Sequence, residues 1–399
     1  MKKFTLSVLI TLVLMGCSTP DTYELVIQNV GLFDGYEDRG LVNIAINQDT
    51  IAAITPEELR GDSLIDGSGK FVIPGLVNAH VHASTIEQLQ EGYPLGILTL
   101  LNMHTGLEDR ELEWKKVSRD SMGYSTLYGA GHAATVPAGH PTQFSPEMET
   151  INDSLSIEDW VAHRIASNVD YIKIIRENSE WMGMPAPPTL SYEQIGKLIE
   201  IAHQKGYKAV VHTSRAEEMI EIGKFKPDGF VHMVSSKDDF PPSEAYYESL
   251  AASGAFVIPT AGITLKPMEA MLPPPMAEWI RNNIMSSEEH AQVIRKMHEH
   301  GVLIVAGTDA QEGQMDFGED YFLELEVYKM AGLSNEEILK TATGNAAKAF
   351  GLPIGVLKVG SKANLLLLRD NPLLDIDNIK NVEQVWKNGK TKQARVTLR

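Results

Sequence analysis

From Tyr23 to Ile73, apolar and polar residues alternate in short runs, YELVIQNVGLFD, GLVNIAINQDTIAAI and KFVIPG, broken at Asp34-Gly35 and Asp66-Gly67. A period of two with turn residues between the runs predicts the strands of a small β-domain. The pattern then changes. Eight buried-strand candidates follow, LVNAHVHA, GILTLLNMH, YSTLYGAG, VDYIKII, YKAVVHTS, DGFVHMV, AFVIPTA and VLIVAGTDA, with helical segments between them. Strands of this kind alternating with helices predict a parallel sheet, and eight such units predict a (β/α)8 barrel. Two helices carry explicit start signals. Leu190-Ser191-x-x-Gln194-Ile195 and Leu333-Ser334-x-x-Glu337-Ile338 each pair a capping box with a hydrophobic staple, and Gly206 suits the C-terminal cap of the first. Past residue 355 the period of two returns in KANLLLLRD and VEQVWKNGK, the latter with an Asn388-Gly389 hairpin turn. The expected fold class is α/β: a TIM barrel over residues 74–354, with a small β-sandwich assembled from both chain ends, residues 23–73 and 355–399.

The first residues follow neither pattern. Lys2 and Lys3 precede a nearly continuous apolar run, Phe4 to Met15, which is short for a membrane span and reads as an export signal over residues 1–16. Cys17 is the only cysteine, so no intramolecular disulfide can form. Leu14-Met15-Gly16-Cys17 resembles a bacterial lipobox, which implies lipidation of Cys17, with residues 17–22 as a tether. Ser18 rather than Asp after the cysteine resembles lipoproteins of the Gram-negative outer membrane. The expectation is an exported, lipid-anchored protein of the cell envelope facing the periplasm, touching the membrane through that anchor alone.

Composition narrows the partners. A length of 399 residues with 43% hydrophobic and 22% charged positions is that of a globular protein with a sizeable core. The net charge of −18 argues against a nucleic-acid or anionic-membrane footprint, which needs clustered Lys and Arg. Homo-oligomerisation is left open.

The chemistry lies at the strand ends. His80 and His82, two apart at the end of the first barrel strand, project from one face. Lys173 ends the fourth strand, His212 the fifth, His232 the sixth and Asp309 the eighth. A TIM barrel gathers such ends at one face, which turns scattered residues into one site. Imidazole and carboxylate suit Zn, Mn, Fe or Co, and the absence of thiolate in the barrel excludes a cysteine-type structural zinc site. The long segment YGAGHAATVPAGHPTQF after strand three would lie over the site. His140 in it, Arg176 after strand four and Tyr128 in strand three are candidate substrate contacts, with His132 a weaker one. A plain loop histidine and a barrel salt bridge are the competing readings of His140 and Arg176. His104 could reach the rim. His163, His203, His290, His298 and His300 sit in helical, polar contexts and read as surface residues.

PGLVNAHVH, YIKI, VVHTS, DGFVHM, IPT, GTDA, and TGNAAKAFG followed by GVLKVGSKANLLLL together resemble the amidohydrolase superfamily over nearly the whole mature chain. IKI, AGHPTQF and LELEVYKMAGLS resemble its imidazolonepropionase-like and prolidase-like branch. Asn78, two before His80, departs from the Asp common there. The resemblance implies that His80, His82 and Asp309 hold one divalent ion and His212 and His232 a second, zinc first among the candidates. It also implies that Lys173 takes up CO2 as a carbamate bridging the two. An ammonium cannot ligate a cation, whereas a carbamate offers two anionic oxygens. Two ions so placed would lower the pKa of a bridging water to supply hydroxide, with Asp309 as the catalytic acid–base. The expected activity is hydrolysis of a C–N bond in a small amide, a dipeptide or N-acyl amino acid. Cyclic amide opening, lactone hydrolysis and phosphotriester hydrolysis are the alternatives on the same site. A non-catalytic binding lipoprotein would be expected to have lost a ligand, and every ligand position is filled.

Overall fold

The computed structural model describes residues 22–180, 184–267 and 272–393; the segment read as an export signal and Cys17 lie outside the described residues. Both chain ends build one β-domain. Strands β1 (Thr22–Phe33), β2 (Asp38–Asn47), β3 (Thr50–Thr55), β4 (Arg60–Asp66) and β5 (Phe71–Pro74) come from the N-terminal part. After the barrel strands β6 to β13 described below, β14 (Leu365–Leu368), β15 (Val382–Lys387) and β16 (Lys390–Gln393) return to the same sheet. Its order is β16-β15-β14-β5-β1-β2-β3, with β4 paired to β1. The alternating apolar residues of these strands, among them Ile27, Leu32, Ile44, Val72, Leu365, Leu367 and Trp386, close on a core of their own. The layers of the sandwich are thus one sheet folded about its buried face. Asn388 and Gly389 both adopt positive φ in the turn from β15 to β16, as a two-residue hairpin requires.

The barrel strands are β6 (Leu76–His82), β7 (Ile97–Asn102), β8 (Thr126–Gly129), β9 (Ile172–Ile175), β10 (Ala209–His212), β11 (Gly229–Val231) and β12 (Phe256–Ile258), with β13 (Ala310–Gln311) at the end of the eighth unit. Regular parallel pairing forms two four-stranded arcs, β13-β6-β7-β8 and β12-β11-β10-β9. Backbone hydrogen bonds join them at both seams. Ala134 N donates to Lys173 O at 2.8 Å and Ile175 N to Ala134 O at 2.9 Å. On the other side Val257 N donates to Leu303 O, Val305 N to Val257 O, and Ala79 N to Ala306 O, each within 2.8–2.9 Å. The eighth strand is therefore irregular between Leu303 and Asp309 yet completes the ring. Its Gly307 lies so near β6 that an added Cβ would sit 2.7 Å from His80 N.

Inward side chains fill the barrel in layers. Val77, Tyr171, Val210, Val231, Phe256, Val305 and Phe350 form the apolar interior, while Val81, Ile172, Ile174, Val211 and Phe230 face the surrounding helices. The predicted capping boxes are present at Ser191 with Gln194 and at Ser334 with Glu337, and Gly206 follows the first helix with a φ of 81°. Among the described residues no helix is long and apolar enough to cross a membrane.

The β-domain is locked to the barrel by a buried lysine. Lys387, at the end of β15, is 2% exposed and donates to the carbonyls of Ser118, Ser121 and Tyr124 around the C-terminus of the helix Glu108–Asp120. Burial pushes its amine down to about 8, while three oxygens at a helix C-terminus favour the cation. Lys387→Met should lower unfolding stability by about 2–3 kcal/mol, the scale of charge-assisted hydrogen bonds lost with their acceptors left behind. Urea denaturation checks this, and metal content should stay at the wild-type level.

Candidate metal centre

Simple alternation does not deliver the ligand side chains to the mouth of the barrel. On β6, Val77 and Ala79 face inward but Val81 and Ala83 face outward, so the side-chain parity switches between Ala79 and His80. The pairing with β7 shows why: Asn78 opposes Leu100 and Val81 opposes Asn102, three steps against two, which is a β-bulge. The bulge turns both His80 and His82 inward. Asn78, fully buried, braces it by accepting from His80 N at 3.4 Å and Thr308 N at 3.1 Å and donating to Thr308 Oγ1 at 2.9 Å. A similar switch occurs on β11, where Val231 faces the interior and Met233 the helices; between them His232 has a φ of 73°. Asp309 and Thr260 also adopt left-handed conformations, at 61° and 55°. Such conformations cost about 1–3 kcal/mol each in side-chain-bearing residues and concentrate at functional sites.

These devices bring donor atoms together. His80 Nε2 and His82 Nε2 are 3.2 Å apart, and Asp309 Oδ1 lies 3.1 Å from the first and 3.0 Å from the second. Bonds of about 2.0–2.1 Å at angles of roughly 90–110° would place neighbouring donors about 2.9–3.4 Å apart. The three residues therefore fit a metal ion. The His232 ring lies 5.0 Å from that of His80, and the His212 ring 4.5 Å from that of His232 at 83°. Lys173, on β9 between two outward isoleucines, is 1% exposed and close enough to bear electrostatically on Asp309, His80, His212 and His232. All six expected ligand residues thus converge on one end of the barrel.

Electrostatics suit cation binding. Burial drives the His80, His212 and His232 imidazoles well below their ordinary range, so they are neutral and carry lone pairs. Burial also brings the Lys173 amine down to about 7. For Asp309 burial works upward, but the adjacent His80 and His82 hold the carboxyl well below its usual range. Imidazole nitrogens beside a carboxylate make a donor set of the kind divalent first-row ions take.

The substrate candidates separate. His140 is brought in: its ring lies 5.3 Å from that of His212, and Gln143 Nε2 lies 2.7 Å from its Nδ1. With the amide donating, the proton of a neutral His140 resides on Nε2. Arg176 is fixed in the wall, with Nε 2.7 Å from Glu218 Oε1, Nη1 donating to Leu190 O, and its guanidinium 4.1 Å above the Tyr192 ring. Tyr128 is placed away from this group. It packs with Leu303, Ala347 and Leu352 against the apolar interior, and its nearby charges are Asp170 and Arg119, which precede β9 and β8. His104 and His132 tie loops together. His104 accepts from Ala133 N, meets Ser145 Oγ at 3.1 Å, and its carbonyl meets His82 Nδ1 at 3.3 Å. His132 accepts from Glu149 N. His290 is not a surface residue: it is 4% exposed, with Nδ1 at 2.9 Å from Ser286 O. It shares a helix face with Val293, Ile294 and Met297, at the i+3, i+4 and i+7 spacing of a buried stripe.

Several supports carried no sequence signal. Thr260 Oγ1 meets His232 Nδ1 at 2.7 Å, and Glu177 Oε2 meets His212 Nε2 at 3.3 Å. Glu324, fully buried, accepts from Gly262 N and Tyr328 Oη and so holds the turn that carries Thr260. Glu111, also buried, accepts from Asn102 Nδ2 and Gly131 N, while Asn102 Oδ1 takes the N–H of Ala83 next to His82.

The chain matches the family described as "Amidohydrolase family" over residues 71–392. It is 26% identical over 364 residues to a 5'-deoxyadenosine deaminase of Methanosarcina mazei, covering 83% of this chain and 79% of that one. It is 26% identical over 377 residues to an imidazolonepropionase of Thermoanaerobacter pseudethanolicus, covering 83% and 84%. Among solved structures, a Xaa-Pro dipeptidase with bound methionine in its active site superposes with a TM-score of 0.77 over 92% of this chain and 99% of that one; at 20% identity the likeness is one of fold.

Burial pushes Glu324 up to about 7 from 4.5. A carboxyl raised in the folded state keeps its full stabilising effect below pH 4.5 and loses it as pH rises through about 7. Its slope is at most about 1.4 kcal/mol per pH unit. Glu324→Gln keeps an acceptor for Gly262 N and removes the titration. Denaturation measured at pH 5 and pH 7 should show a smaller loss of stability between the two for the variant than for the wild type.

Proposed function

The chain belongs to the amidohydrolase family and is a hydrolase with a candidate metal site at His80, His82 and Asp309; on that premise, we propose that it cleaves the C–N bond of a dipeptide or N-acyl amino acid with two divalent ions bound. The ions would be held by His80, His82 and Asp309 on one side and His212 and His232 on the other, with a CO2-derived carbamate on Lys173 between them. The observation that carries this reading is Lys173 itself, a buried amine brought to about 7 and facing a carboxylate and three imidazoles. A neutral amine is the form that attacks CO2, its nitrogen bonding to carbon and releasing a proton, and the product supplies two anionic oxygens. When bound, two divalent ions, zinc first among them, would lower the pKa of the attacking water and polarise the scissile carbonyl.

The chain's own residues do the rest. Asp309 Oδ1 faces both His80 and His82, which leaves Oδ2 to take a proton from the water and pass it to the leaving nitrogen. His140, whose ring lies 5.3 Å from that of His212, would hold a substrate carbonyl or carboxylate. Arg176 would offer a substrate carboxylate only the guanidinium N–H groups that Glu218 and Leu190 O leave free. A small substrate with a free carboxylate next to the scissile amide uses both.

Metal analysis should find about two equivalents per chain. Dipeptides and N-acyl amino acids, L and D, assayed with Zn, Mn and Co supplied separately, should include substrates. Inertness toward all of them, with turnover confined to cyclic amides, lactones, phosphotriesters or 5'-deoxyadenosine, would overturn the assignment. Asp309→Asn should lower kcat by roughly 100–10,000-fold, the range of general acid–base catalysis. Lys173→Ala should lose activity together with the second ion, and a short carboxylic acid should restore part of both; wild-type metal content in that variant would sink the carbamate. We also propose that the protein is tethered to the cell envelope through lipid on Cys17, for which the support is the Leu14-Met15-Gly16-Cys17 motif. Cys17→Ala should move it from the membrane fraction to the soluble one.

A further inference from the structure

We propose that Glu177 is a positioning residue of the metal centre: its carboxylate takes the Nε2–H of His212 and thereby presents Nδ1 of that imidazole to the second ion. The inference rests on the two-ion reading above but concerns an atom that reading leaves unspecified.

Glu177 stands two residues beyond β9, in the loop that follows Lys173. Both ends of the residue are tied down locally. Its backbone N–H donates to Thr189 Oγ1 at 3.2 Å, and Oε1 accepts from Ser179 N at 2.9 Å. The remaining oxygen, Oε2, lies 3.3 Å from His212 Nε2. The two side chains are 24% and 12% exposed, so the contact is shielded without being sealed. An ionised carboxylate can only accept, and a neutral imidazole has one proton to give. The proton is therefore on Nε2 and the lone pair on Nδ1.

His232 shows the opposite assignment by the same logic. Its Nδ1 lies 2.7 Å from Thr260 Oγ1, and that hydroxyl donates its single proton to Pro259 O at 2.7 Å. Thr260 must then accept from His232 Nδ1–H, which leaves the lone pair on Nε2. The two rings meet nearly edge to face, at 83° and 4.5 Å between centroids. Each thus has one nitrogen spoken for by an outer partner. A surface-loop glutamate bonded only for loop closure would not need to reach into the barrel mouth, and Oε1 alone already closes the Ser179 turn. A carboxylate behind a ligating histidine fixes its tautomer and makes it a better donor, and loss of such a partner typically costs roughly 10–100-fold in metal affinity.

The test uses the full-length protein with cobalt as the probe, together with nitrogen-15 NMR of the histidine rings. In the metal-free wild type, the His212 proton should be found on Nε2. In Glu177→Ala, binding of the second cobalt equivalent should weaken roughly 10–100-fold while the first stays at wild-type affinity, and the His212 proton should redistribute between the two nitrogens. Glu177→Gln, whose amide oxygen can still accept, should fall between the two. Wild-type affinity for both equivalents in Glu177→Ala, or a wild-type His212 proton on Nδ1, would overturn the proposal. The wild-type NMR measurement stands even if a variant fails to fold. It also separates the two ideas: a wild type that takes up a single ion would defeat the two-ion reading, while the position of the His212 proton would still decide the role of Glu177.

Discussion

Three electron-rich atoms, His80 Nε2, His82 Nε2 and Asp309 Oδ1, are held within 3.2 Å of one another at the mouth of the barrel. Without a cation the imidazoles can settle there only by sharing protons with the carboxylate; a shared cation would satisfy all three donors at once. Much of the local backbone can be understood as the means of imposing the cluster. The bulge in β6, the left-handed residues His232, Thr260 and Asp309, and the close approach of Gly307 to His80 each depart from regular strand geometry. Their combined cost is several kcal/mol on the scale usual for such strain. It is tolerated because the regular parts of the barrel, packed on both faces, over-determine the positions of the strand ends.

Around the cluster runs a layer of polar groups whose partners are fixed before any ligand arrives. Asn78 braces the bulge, Thr260 sets His232, and Glu324 in turn holds the Thr260 turn. Farther out, Glu108 and Glu149 pair with the buried Arg164 and anchor the loop that carries His140. These contacts fix the orientation of the groups around the centre, which is what catalysis by prior positioning of charge requires. The family shares the centre's chemistry.

The sequence was most informative where one residue type could satisfy one strand end. Lys173 and His212 follow the two-residue alternation of β9 and β10, so the pattern alone placed them inward. His80 and His82 were also placed together, but through an alternation that the chain actually breaks at Ala79; a one-residue bulge leaves no mark in the spacing of the two histidines. The same holds for His232, whose inward direction comes from a positive φ. His290 differs: its apolar stripe with Val293, Ile294 and Met297 stands in the sequence at helical spacing, and burial of that stripe overrides the polar residues around it. Glu177 and Glu324 are illegible for another reason: the partners that tie them to the site, His212 and Gly262, lie 35 and 62 residues away along the chain. Tertiary folding alone makes those pairs.

The β-domain's construction from both chain ends has a consequence for the order of folding. β5 lies between β1 and β14 in the sheet, and Lys70 is bridged to Glu383 across 313 residues of chain. The N-terminal strands therefore emerge during synthesis long before the segment that covers them, leaving the edge of β5 unpaired while the barrel is made. Pairings this distant are slow to form, since loop-closure entropy must be met before the contacts return anything, and open edges invite intermolecular pairing meanwhile. The last strands thus act as a closing clasp: until residues 365–393 are in place, the enzyme's first strands remain a hazard to its own solubility.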